Sequence, residues 1–88
     1  MEGLWDEALR RLSPGKSLFK VLVYLSFKGR SRPAEIAEET GLSPGTVRPA
    51  LRNLLNMGLV RQEEDGSYIS NIHFTEIVSD IYRRLPRE

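Results

Sequence analysis

Apolar residues recur along this chain at helical spacing, then at strand spacing, then at helical spacing again. From residue 3 to 12, Trp5, Ala8, Leu9 and Leu12 share one side of a short helix. Ser13-Pro14-Gly15 interrupts it, and Ser13 is placed to cap the next helix with Pro14 as its first residue. Over 15 to 28, Leu18, Val21, Leu22 and Leu25 form the main stripe, which Phe19, Val23, Tyr24 and Phe27 widen. A helix apolar on most sides predicts a central one. Gly29 ends it. Pro33 opens a third helix, 33 to 40, with Ala34, Ile36 and Ala37 inward and three glutamates outward; Gly41 stops it. Ser43 then caps a fourth helix that has Pro44 at its first position and runs to about Met57. Its core positions are Val47, Leu51 and Leu54, and Gly58 terminates it.

Beyond Gly58 the period changes. Leu59 to Glu63 and Tyr68 to Asn71 flank Glu64-Asp65-Gly66-Ser67, and Asp-Gly between two short strand-like runs predicts a hairpin. Residues 73 to 85 return to helical spacing, and Pro86 closes that helix. The chain is therefore expected to be mainly α with a small β-hairpin, and to carry additional N- and C-terminal helices. Residues 1–88 read as one domain: a helix within 1–13, a core over 15–72 and a final helix over 73–85.

The order of elements points to function. The three-residue turn Gly41-Leu42-Ser43 forces the third and fourth helices to cross steeply, which is a helix-turn-helix. Its second helix then stands clear and can enter a major groove. On a wheel of about 100° per residue, with Val47 inward, Gly45, Arg48, Arg52 and Asn56 fall outward and Pro49 and Asn53 flank them. No acidic residue occurs from Pro44 to Asn56. Arginine can bridge guanine O6 and N7, and asparagine can pair with adenine. Ser43 and Thr46, with the exposed amides of the helix start, suit a phosphate. Pro49 lies past the first turn and removes one backbone bond, so the helix either starts near Thr46 or kinks.

Residues 18 to 71 resemble the winged helix-turn-helix domains of MarR-type and ArsR-type regulators, especially small archaeal members. The matching text is Ser31 through Ser43, then Thr46-Val47, Leu51, Leu54 and Gly58-Leu59-Val60. The resemblance implies a transcriptional regulator that binds double-stranded DNA, with Thr46, Arg48 and Arg52 at positions that often contact it. Related wings place arginine or lysine near the tip. Here the tip reads Glu63-Glu64-Asp65-Gly66-Ser67, which leaves Arg61, Ser67 and Tyr68 as contacts. Either the wing points away from DNA or it serves a protein partner. Lys28, Arg30 and Arg32 are placed to supply backbone contacts instead; a solvated loop is the competing reading.

The last helix carries Phe74, Ile77, Val78, Ile81, Tyr82 and Leu85 on one face, more than a chain this small can readily bury. A homodimer through this face, joined by Trp5 and Leu9, would match a palindromic operator; packing on the first helix of the same chain is the alternative. A protein-interaction winged helix within a nucleic-acid machine is the second functional reading, favoured by the acidic wing.

Composition narrows the field. The net charge is only +1, so DNA binding rests on where charges sit. There is no cysteine, which excludes disulfides, thiolate zinc sites and cysteine nucleophiles. His73 is the sole histidine; with Glu76 and Asp80 it makes a metal set too poor in ligands. Gly15-Lys16-Ser17 imitates the end of a phosphate-binding loop, but Arg10 stands where the first glycine is needed. No catalytic triad can be assembled, so neither enzyme activity nor a cofactor or metal is expected. The longest apolar run, Val21 to Leu25, falls far short of the ~20 residues of a membrane span, and the early acids Glu2, Asp6 and Glu7 do not suit an export signal. A cytoplasmic protein is the expectation.

Overall fold

The computed structural model describes Leu12 and residues 16–86. The helix expected over 3–12, with Trp5 and Leu9, lies outside the described residues except for Leu12. The elements run α1 (Ser17–Lys28), α2 (Pro33–Thr40), α3 (Pro44–Asn56), β1 (Val60–Gln62), β2 (Tyr68–Ser70) and α4 (Phe74–Arg84). Four helices and one antiparallel hairpin make a winged helix-turn-helix.

Helix α1 is the hub, packing on α2, α3, β2 and α4. Its Val21, Leu22 and Leu25 meet Ile36 of α2 and Val47, Leu51 and Leu54 of α3 in the core. Leu59, Val60, Ile72 and Ile77 close that core from the wing side and from α4. Removing water from each such side chain contributes about 1.5–3 kcal/mol. The helix begins at Ser17 with Lys16 as its cap residue and no side-chain capping bond, so the expected Ser13 cap is not used. Phe27 is 69% exposed: it sits about 140° round the helix from Leu22, on the side away from the core. Ala34, expected inward, is exposed as well, because Ile36 and Ala37 alone fill the buried side of the short α2.

The hairpin pairs Val60 with Ser70, Arg61 with Ile69 and Gln62 with Tyr68. Ser31 adds a third, one-residue strand. Its N–H donates to the Tyr68 carbonyl at 3.0 Å, and the Tyr68 N–H donates back to Ser31 at 2.8 Å. The loop between α1 and α2 is thereby stitched to the wing. Among the described residues, no helix is long and apolar enough to cross a membrane.

Candidate nucleic-acid interface

The helix-turn-helix is built by local chemistry. Gly41 adopts the left-handed conformation (φ 78°) and donates its N–H to the Ala37 carbonyl at 3.0 Å, closing α2. Thr40 reinforces the turn: its hydroxyl donates to the Ile36 carbonyl at 2.6 Å and accepts from the Leu42 N–H at 3.3 Å. Ser43 then caps α3, accepting the Thr46 N–H on its side-chain oxygen at 3.2 Å. Pro44 follows at the first helical position, where its missing N–H costs nothing. This start is fixed, so α3 runs unbroken through Pro49 instead of beginning near Thr46.

Val47, Ala50, Leu51 and Leu54 occupy the buried side of α3. Opposite them Gly45, Arg48, Pro49, Arg52, Asn53 and Asn56 are exposed, with Ser43 and Pro44 exposed at the helix start and Thr46 half-buried. The Ser43 and Thr46 oxygens lie 3.0 Å apart and share a hydrogen bond, so both point the same way at that start. Among the described residues, neither Arg48 nor Arg52 has a carboxylate or hydrogen-bond partner. Beside this helix a cleft of about 270 Å³ separates α3 from the hairpin. Arg48 and Arg52 line one side, Gln62 and Tyr68 the other, over Leu51 and Leu55.

The wing is arranged on different terms. Arg30 lies 3.8 Å from Glu63, and Arg32 lies 3.8 Å from Asp65. Arg61 is held by Glu63 at 3.2 Å and by the Asn71 side-chain oxygen at 2.7 Å. Three of the four expected backbone-binding cations thus face carboxylates of their own chain, while Lys28 stays exposed and unpaired among the described residues. These are exposed pairs, screened by solvent and salt, so they bias the arginines without locking them. Ser67, expected as a DNA contact, is 2% exposed. Its hydroxyl donates to Asp65 at 2.6 Å and its N–H donates to the same oxygen at 3.0 Å, which turns it inward. Those two bonds, the hydroxyl's first, hold the Asp65 carboxyl below the usual aspartate range, with smaller help from Arg32 and Arg30.

Helix α4 divides the apolar face expected for a dimer. Ile77 is fully buried in the chain's own core, and Ile81 is half-buried against it. That takes Ile77 out of the expected interface between copies: α4 docks on α1 by this side. Phe74, Val78, Tyr82 and Leu85 remain outside, and Phe27 joins them with its ring centroid 5.2 Å from that of Phe74. Buried Asp80 approaches Arg84 at 2.9 Å, and Arg84 also donates to the Leu12 carbonyl and lies 5.9 Å from the Phe19 ring centre. Glu76 accepts the His73 backbone N–H at 3.0 Å. Asp80 and Glu76 therefore serve helix packing and capping. Among the described residues, no group of three metal-ligating side chains exists.

The pairing of loop and wing was the feature hidden from the sequence. Its trace there is two short stretches of opposite charge, 28–32 and 63–65, which the Ser31–Tyr68 bridge brings together. Gln62 was likewise missed, because its place on the cleft follows from strand register.

The family model for the IclR helix-turn-helix domain matches residues 18–64, from the start of α1 to the wing tip and more than half of the chain. The resemblance to MarR-type and ArsR-type regulators holds at the level of the winged helix-turn-helix, and neither name is singled out by this match. No curated protein and no solved structure matches the chain.

Proposed function

The chain belongs to the IclR helix-turn-helix domain family, whose members are DNA-binding transcriptional regulators and not enzymes, and from that premise we propose how it engages its operator. Helix α3 enters the major groove of a double-stranded site. Arg48, Arg52, Asn53 and Asn56 meet base edges and flanking phosphates, while Ser43 and Thr46 hold a phosphate at the helix start. The adjacent cleft receives one strand's backbone between Arg52 and Tyr68. Lys28 adds a phosphate contact. Arg30, Arg32 and Arg61 join only as far as phosphates compete with Glu63 and Asp65. One observation carries this reading: the outer side of α3 is exposed, free of acid, and holds two arginines with no partner within the described chain.

Homodimerisation through the exposed part of α4 belongs to the same reading, as does a cytoplasmic location. Phe74, Val78, Tyr82 and Leu85 form a stripe that a two-fold axis would cover, and such an axis suits a palindromic site. A second reading, a module that binds another protein, draws on Glu64 at the wing tip, exposed and unpaired among the described residues.

Fluorescence-anisotropy titrations of random and selected duplexes test the first reading. The double variant Arg48→Ala/Arg52→Ala is expected to lose about 1–3 kcal/mol per arginine. Wild-type affinity in that variant would remove α3 from the interface. Weak binding by the unmodified protein with a shallow salt dependence would favour the protein partner instead.

A further inference from the structure

Pro49 stands six residues into α3 and is exposed on its outer side. A proline there has no N–H for the carbonyl four residues back, and its ring crowds that carbonyl. The carbonyl belongs to Gly45, which is exposed one turn nearer the helix start. Packing explains neither residue, since the buried side is complete with Val47, Ala50, Leu51 and Leu54. A side chain added at Gly45 would meet nothing nearer than the Ser43 hydroxyl, at 3.8 Å. Two features that weaken a helix thus lie one turn apart on its free face, Gly45 in the first turn and Pro49 in the next. Departures from local folding rules concentrate at functional positions.

The chemistry of the pair is selective. A carbonyl oxygen without a helical partner seeks a donor, and phosphates offer none. In a major groove the donors are the exocyclic amines of adenine and cytosine. A pyrrolidine ring makes no hydrogen bond, and its natural neighbour there is the thymine methyl group. The geometry points to Gly45 and Pro49 as a base-reading pair: the Pro49 ring packs on a thymine methyl, and the Gly45 carbonyl accepts from an amine on a neighbouring base pair. The inference rests on α3 occupying the major groove. It makes these two residues determinants of sequence preference beside Arg48 and Arg52, whose charge also supplies affinity.

Duplexes selected by the wild-type protein from a random-sequence library provide the probe. Each thymine is then replaced singly by uracil, which lacks only the methyl group. At one position uracil is expected to weaken wild-type binding about fourfold, the worth of one buried methyl, and to weaken that of Pro49→Ala, whose smaller methyl reaches the base less well, distinctly less. That variant regains its helical hydrogen bond, so its Tm rises, while a repeated selection returns a site relaxed at the same thymine and its neighbour. Indifference to uracil throughout, an unchanged site for Pro49→Ala, or a lower Tm in that variant would each overturn the inference. A wild-type protein that selects no site, alongside an Arg48→Ala/Arg52→Ala variant equal to it on random DNA, marks failure of the α3 reading itself, and the pair falls with it.

Discussion

On α3, two arginines stand in thirteen residues without a single carboxylate. On the wing and the loop stitched to it, Lys28, Arg30, Arg32 and Arg61 share their space with Glu63, Glu64 and Asp65. The wing and its loop carry twice as many cations as α3, yet three of those four face carboxylates, whereas neither arginine of α3 has a partner among the described residues. Formal charge therefore says little about where a duplex docks in this molecule. A phosphate approaching α3 meets guanidinium groups that face water among the described residues. One approaching the wing must displace a tethered carboxylate and tolerate Glu64 nearby. A net charge of +1 is compatible with DNA binding because the acids sit away from the helix that needs to be free of them.

The largest effect expected from this contrast is the loss of DNA affinity in Arg48→Ala/Arg52→Ala, about 1–3 kcal/mol for each base-contacting arginine. Arg30→Ala/Arg32→Ala is expected to change affinity by less than about 1 kcal/mol, the scale of exposed pairs; an equal loss in both double variants would erase the contrast. Freeing the loop should act in the opposite direction. Glu63→Gln/Asp65→Asn is expected to tighten binding to random DNA severalfold and to steepen its salt dependence by about one phosphate contact or more, as read by anisotropy between low and moderate salt.

A smaller effect concerns the hairpin tip. The Asp65 carboxyl is held below its usual range, first by the Ser67 hydroxyl and then by the Ser67 N–H. A depressed value means that its contribution to folding is fully present above the ordinary aspartate value and is lost as pH falls through its own lower one. Side-chain carbon NMR should show Asp65 titrating below the ordinary aspartate value, and Ser67→Ala should raise its midpoint. That substitution is expected to leave DNA binding at neutral pH nearly unchanged.

The order of elements was legible because each is announced locally. Gly29, Gly41 and Gly58 stop three helices, and Ser43-Pro44 starts the fourth one expected; periodicity separates helix from hairpin. The outer side of α3 could be read from a wheel for the same reason. Tertiary partition could not be read that way. Ile77 and Phe74 lie on one broad apolar face in sequence, and only docking on α1 decides that the first is core and the second surface. Ser67 looked like a polar wing residue, and only the turn folding back on Asp65 buries it. The course of α3 past Pro49 was open in sequence because the cap and the proline gave conflicting signals; the cap prevailed.

Amide NMR during titration with a duplex selected by the protein tests the central contrast most directly. Shifts and line broadening are expected to concentrate at Ser43, Gly45, Thr46, Arg48, Arg52 and Asn56, with Glu64, Asp65 and Gly66 nearly still. The contradicting result is the reverse map: a wing tip that moves on binding while the outer side of α3 keeps its free-state spectrum.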